Sequence, residues 1–277
     1  MNENYIRGIN DRFIEDLKTG CLSWFLQQVK KNNELSLQFR KDYVSIYYKG
    51  GSALRIEQKK SGGYRFAFDY KYCLEDRART RIKTLRTVED YRDNFSLLLS
   101  EMDAWFIQNP KEERRIQQEL LEHNTADFCI LDIEYAGAYF LDNGAKRNFR
   151  LDMIAVHDGN IVMVELKSGG KAMGGSAGII KHYNDACAIL DNEAAKHNLL
   201  ETIRNITTVK RSLGLPTAEI SREPMIEILF VVFGYNENSK MLLNQIAGIK
   251  QSHPAKIIIM DSAGELDYRN AKDLFAK

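Results

Sequence analysis

The chain has 277 residues, 44% hydrophobic and 28% charged, with a formal net charge of +1. That length supports a sizeable core in one large or two ordinary domains, and the composition excludes a disordered, collagenous or disulfide-framework chain. Near-neutrality gives no global basicity of the kind that advertises a nucleic-acid partner. There is no run of about 18 apolar residues and the start, Met1–Phe13, is polar, so neither a transmembrane helix nor a signal peptide is expected. Cys21, Cys73, Cys129 and Cys187 are scattered without a CxxC pair, which reads as reduced thiols of a cytoplasmic protein rather than a zinc site.

Residues 5–32 carry Ile9, Phe13, Leu17, Leu22, Phe25 and Val29 at helical spacing, with Gly20 as a break. From Leu35 to Tyr72 the period becomes two. LSLQF, YVSIYY, ALRIEQ and YRFAFDY read as antiparallel strands punctuated by Lys49-Gly50-Gly51-Ser52 and Lys60-Ser61-Gly62-Gly63. Charge is uneven here: Arg40 to Arg86 holds 13 Lys and Arg against 5 Asp and Glu. The interleaved aromatics fit the apolar face of a small sheet. The cluster Arg77, Arg79, Arg81, Lys83 and Arg86 fits equally a solvated face or a phosphate-binding surface.

Val88–Gln108 reads as a helix, and Asn109-Pro110 separates it from a second, Lys111–His123. A domain boundary is therefore expected at 109/110, dividing an N-terminal α+β module (1–109) from a second domain (110–277). On the second helix Ile116, Leu120 and Leu121 mark the buried side, which puts Glu119 at its edge and Glu122 nearly opposite. Ala126–Tyr135 follows as a strand. Its alternation places Cys129, Leu131, Ile133 and Tyr135 on one face and Asp132 and Glu134 on the other.

The most informative stretch is Phe149–Gly170. Two apolar runs flank His157-Asp158-Gly159-Asn160, whose Asp-Gly is a strong hairpin signal. The first run carries Asp152 and the second ends in Glu165-Leu166-Lys167. Glu165 and Lys167 share a face, with Ile161 and Met163 further back, so the charges stand at the strand's end, where a site can meet solvent. Charges in such a strand are costly unless paired or metal-bound. Asp152 and Glu165 are hard oxygen ligands of the kind that Mg²⁺ or Mn²⁺ prefers, and Lys167 adds a charge able to orient water or stabilise a phosphate. An ordinary hairpin whose Glu165 and Lys167 pair with each other is the alternative.

Asp152, twelve intervening residues across a hairpin, then Glu165-x-Lys167 resembles the PD-(D/E)xK nuclease superfamily. Leu151 stands where that pattern usually has proline. The resemblance implies a restriction-endonuclease-like αβββαβ core with a mixed central sheet over about Pro110–Tyr235. It also implies metal-dependent hydrolysis of phosphodiester bonds, with DNA as the substrate and Mg²⁺ or Mn²⁺ as the cofactor. Asp152 and Glu165 would be the metal ligands, Lys167 would be catalytic, and Glu119 an acidic contribution from the preceding helix. Many such nucleases act as homodimers, which by analogy allows one here.

After Lys167 a glycine-rich loop, Ser168–Gly178, contains Lys171 and leads to a helix from about Ile179 to Asn198. Backbone N–H groups of such a loop suit phosphate, and Lys171 and Lys181 are candidate nucleic-acid contacts beside Arg77, Arg79 and Arg81. His182 reads as a surface histidine. Another helix, about Leu199–Leu213, is followed by the apolar strand Met225–Tyr235, a helix over Asn238–Gln251, a buried strand Ala255–Met260 and a closing helix near Ala271–Phe275. Two further readings stand beside the nuclease: a non-catalytic nucleic-acid-binding protein using the Arg40–Arg86 segment, and a protein-interaction module with an ordinary hairpin core.

Overall fold

The computed structural model describes residues 6–123, 126–140, 144–169 and 178–276. The chain is mixed α/β and divides into two compact units. One holds Arg7–Glu122 and Val209–Leu215; the other holds His123–Thr208 and Pro216–Lys277. The helix expected to open the second domain groups with the first unit.

In the first unit, α1 (Asp11–Lys18) starts where the Asn10 side chain accepts a hydrogen bond from the Phe13 N–H at 3.0 Å. It buries Phe13 and Leu17, one turn apart. The chain then breaks at Gly20, as expected. A Cβ there would lie 2.7 Å from the Asp16 Cα, so only glycine lets the turn close. The second helix, α2 (Ser23–Lys31), buries Phe25, Leu26 and Val29.

The four expected strands form an antiparallel meander: β1 (Leu35–Phe39), β2 (Tyr43–Tyr48), β3 (Gly51–Gln58) and β4 (Tyr64–Ala67). Lys49 and Gly50 join β2 to β3 with φ of 47° and 74°, the left-handed pair that a two-residue hairpin turn requires. Register aligns Leu37 with Ile46 and Leu54, and Phe39 with Val44, Ile56 and Phe66. This apolar face meets Phe25, Tyr91 and Phe95, with Phe66 stacked on Tyr91 at 4.8 Å and Phe25 5.8 Å from Phe95.

Three helices follow where one was expected. The first, α3 (Asp76–Thr84), buries only Ala78 and Ile82. Then α4 (Val88–Asp93), opened by a Thr87/Asp90 capping box, meets α5 (Phe95–Gln108) at Asn94. The last helix of the unit, α6 (Glu112–Glu122), buries Ile116 and Leu120.

The second unit is built on a six-stranded mixed sheet in the order β10-β9-β8-β7-β6-β5. Its strands are β5 (Phe128–Phe140), β6 (Lys146–His157), β7 (Asn160–Ser168), β8 (Ile226–Phe233), β9 (Ala255–Met260) and β10 (Lys272–Asp273). The first three form an antiparallel meander, β7, β8 and β9 run parallel, and β10 closes one edge antiparallel to β9. Asp158 and Gly159 turn β6 into β7 with φ of 47° and 75°, the hairpin foreseen from Asp-Gly. The parallel β7-to-β8 step is made through α7 (Ile179–Leu190) and α8 (Glu193–Leu213); α9 (Lys240–Ala247) stands between β8 and β9. The helix expected from 179 to 198 ends earlier, at Leu190.

The closing helix near Ala271–Phe275 is not formed. Lys272 pairs with Ile257 and the Leu274 N–H donates to the Ala255 carbonyl at 2.9 Å. A five-residue helix makes one or two internal bonds, whereas the open edge of β9 offers a ready ladder.

Candidate functional site

Asp152 lies on β6, and Glu165 and Lys167 lie on β7, with β6 and β8 on either side. The β6–β7 ladder runs from His157↔Asn160 as far as Met153↔Val164. One residue further the Asp152 carboxylate takes over, its Oδ2 accepting from the Leu166 N–H at 2.8 Å. A side chain thus replaces a strand bond at the point where the three charges converge.

Glu165 is 1% exposed and Lys167 3%. The expectation that this strand end meets solvent is corrected: α7 packs on β7 and β8 and covers it. Deep burial forces pairing. Glu165 Oε2 lies 3.4 Å from Lys167 Nζ and 2.9 Å from His182 Nδ1, the latter arriving from the first turn of α7. His182 is therefore not a plain surface histidine. Its position, three residues after buried Ile179 and four before buried Ala186, was the available signal, since those offsets share one helix face.

Glu165 Oε1 is buried and has no hydrogen-bond partner. A buried carboxylate oxygen normally takes a donor or a cation, so this oxygen fits a metal ion beside Asp152. Among the described residues no group of three or more His, Cys, Asp and Glu side chains is arranged to hold a metal. The two carboxylates at this strand end, Asp152 and Glu165, are of the kind that suits Mg²⁺, which keeps several waters and binds through one or two carboxylates.

A bulge in β5 between Ile130 and Asp132 leaves Leu131 out of the register and shifts the expected alternation of faces. Asp132, 1% exposed, pairs with Ile154, which pairs with Met163. Opposed residues share a face, so Asp132 joins Met163 and Glu165 on one side of the sheet. Cys129, pairing with Val156 and through it with Ile161, is on that side too, rather than on the opposite one. Two residues beyond Asp132, Glu134 adopts φ of 48°, a left-handed conformation that is uncommon for glutamate inside a strand. Its neighbours Ile133 and Tyr135 pair with Met153 and Leu151, which puts Glu134 level with Asp152.

The other expected site residues are dispersed. Glu119 belongs to α6 and the first unit. Its carboxylate takes the Arg115 guanidinium, and it lines a cavity of about 320 Å³ with Glu34, Lys49 and Phe106. Lys181 is exposed on α7 and paired with Asp185 one turn on. Arg77 and Arg81 are exposed on α3, while Arg79 is half-buried and reaches the Tyr70 carbonyl at 3.4 Å. Lys171 and residues 170–177 of the glycine-rich loop lie outside the described residues. No helix among the described residues is long and apolar enough to cross a membrane.

Comparison with protein-family models, with curated proteins and with solved structures gives no match to this chain.

Proposed function

We propose that the chain is a metal-dependent phosphodiesterase of the PD-(D/E)xK kind that cleaves DNA. The observation that carries this reading is the Glu165 carboxylate. It is buried on a central strand, with one oxygen held by Lys167 and His182 and the other without a partner. The order β5, β6, β7, then helices, then the parallel strand β8 supports it, since a βββαβ sequence is part of a restriction-endonuclease-like core.

In this reading Asp152 and Glu165 hold Mg²⁺ or Mn²⁺. The bound cation supplies Lewis acidity at the phosphate and a water of lowered pKa. Asp152 is oriented by the Leu166 N–H, which donates to its Oδ2. His182 holds the rotamer of Glu165 by occupying Oε2, which leaves Oε1 for the cation. The Lys167 ammonium carries three donors; one faces Glu165, and the others serve to orient the attacking water or to neutralise charge growing on the phosphate.

The test is cleavage of supercoiled, linear and single-stranded DNA with Mg²⁺ or Mn²⁺, wild type beside Lys167→Ala. The variant is expected to lose about 10²–10⁴-fold in rate, the range for a positioned proton-transfer or charge-stabilising group. Equal rates would remove Lys167 from the chemistry. A second reading, DNA binding without cleavage, is favoured by the cations of α3. It leads if wild type binds DNA and cuts none of the three forms.

A further inference from the structure

The first unit carries a surface that the proposed chemistry does not use. Between Tyr70 and Arg86 the chain has six Lys and Arg against two acids, in a protein whose overall charge is +1. Folding turns the middle of this segment into α3, whose Ala78 and Ile82 face inward. Arg77, Arg81, Lys83 and Arg86 are exposed, with Arg79 beside them.

What these five cations contact is informative. Arg79 reaches the Tyr70 carbonyl, Arg81 Nε donates to Asn94 Oδ1 at 2.9 Å, and Arg86 donates to the carbonyls of Lys83 and Leu85. Lys83 Nζ sits 5.6 Å over the Tyr70 ring. These side-chain partners are neutral, although Arg86 also has an acid close by, the Asp90 carboxylate, which accepts from the Arg86 backbone N–H at 2.8 Å; among the described residues none of the five side chains forms an ion pair. Elsewhere in the unit several surface cations are paired, Lys49 with Asp103, Arg55 and Arg65 with Glu57, Lys71 with Asp69, Arg115 with Glu112, while others such as Lys59 and Lys60 are exposed without an ion pair among the described residues. In α3 like charges stand one turn apart instead, Arg77 with Arg81 and Arg79 with Lys83, where they repel. The neutral contacts hold Arg79, Arg81 and Lys83 without an ion-pair partner.

We infer that α3 and the Arg86 turn after it form a binding surface for the phosphate backbone of duplex DNA, read without regard to sequence. The inference rests on the phosphodiesterase reading for the identity of the polyanion; the surface itself stands on the unpaired cations. A duplex is favoured over a single strand because few rings stand open on this surface. Of the aromatics interleaved with the cations, Tyr47, Tyr48, Tyr64 and Tyr72 are buried in the unit's core. The exposed ring, Tyr70, has Lys83 over it. Single-strand binders combine cations with open aromatic faces, whereas a duplex hides its bases and presents phosphates.

The test is binding of the full chain to a short mixed-sequence duplex across a salt series, with chelator present so that no cleavage occurs. Replacing Arg77, Arg81 and Lys83 together by Gln is expected to flatten the slope of log K against log salt by about 2.7, three phosphate contacts at about 0.9 each. Lys59→Gln/Lys60→Gln, which removes exposed cations outside α3, is expected to leave the slope unchanged. Arg77→Lys/Arg81→Lys keeps the charge and is expected to keep the slope, which separates lost charge from lost folding. An unchanged slope in the triple variant overturns the proposal, and so does an equal loss in the Lys59/Lys60 control. Tighter binding of wild type to single-stranded DNA, or to phosphatidylserine vesicles, overturns the commitment to a duplex. If Lys167→Ala still cuts DNA while the α3 variants lose binding, the catalytic assignment fails and the α3 surface stands.

Discussion

The chain concentrates charge in two places and treats it in opposite ways. On β7 two ionisable side chains are taken out of water and set against each other and against His182, while Asp152 on the neighbouring strand takes the Leu166 N–H. On α3 four cations, with Arg86 just after it, stay in or near water, form no ion pair among the described residues, and repel one another along a helix with two buried side chains. The first arrangement is expensive to build and expensive to break, because each buried charge depends on the others. The second costs little in any single residue and acts by summation. A set of the first kind suits chemistry at one atom; the second suits adhesion along a polymer.

That contrast is sharpest in stability. Lys167→Met leaves the Glu165 carboxylate buried with His182 as its remaining partner, and is expected to destabilise the second unit by about 3–5 kcal/mol. The double change Glu165→Gln/Lys167→Met removes both charges while keeping an acceptor for His182, and is expected to recover most of that loss. Hydrogen exchange of the β7 amides reads the effect where it arises. If the single variant protects those amides as well as wild type does, the two charges are not interdependent and the comparison collapses.

The second effect is smaller and concerns metal. At a concentration about 100 times its dissociation constant, Mg²⁺ or Mn²⁺ is expected to stabilise wild type by about 2.7 kcal/mol, visible as a rise in melting temperature, and to leave Asp152→Ala unmoved. His182→Ala frees Oε2 of Glu165 and is expected to weaken the metal about 10–100-fold, as losing an outer partner of a ligand does, with His182→Gln restoring part of it. Titration calorimetry separates the two histidine variants. Equal affinity in wild type and His182→Ala would leave the histidine as packing alone.

How far these regions could be read from sequence follows from the same physics. The β6–β7 hairpin was legible because Asp158-Gly159 permits the left-handed pair that its turn demands, and because Asp152, Glu165 and Lys167 interrupt runs that are otherwise apolar. The burial of Glu165 and Lys167 was not legible, since it depends on how α7, the next helix in the chain, packs against the strand. Strand alternation failed on β5 because a bulge at Leu131 carries no local mark. On α3 the apolar stripe is two residues long, too short to show a helical period, so the segment read as a cluster of charge without a shape. His182 was hidden differently: its spacing from Ile179 and Ala186 was correct for the buried face, but a polar residue at the start of a helix is usually solvated. At the C-terminus a helical pattern over Ala271–Phe275 lost to the exposed edge of β9, a competition that local spacing does not contain.

The smallest effect has an unusual sign. In Arg77→Glu a like-charge neighbour of Arg81, one turn away, becomes an opposite one, and the new carboxylate stands in the first turn of α3, where the helix dipole favours negative charge. Both changes favour folding, and together they are expected to raise the stability of the first unit by about 0.5 kcal/mol. A helix selected for stability alone would have taken that gain. If Arg77→Glu stabilises the unit in urea unfolding and weakens duplex binding at low salt, the cations of α3 are kept against folding and for adhesion. If instead it destabilises the unit, Arg77 has a structural role in the fold, and the contrast between a self-paired buried set and a freely disposable exposed one no longer holds at that position.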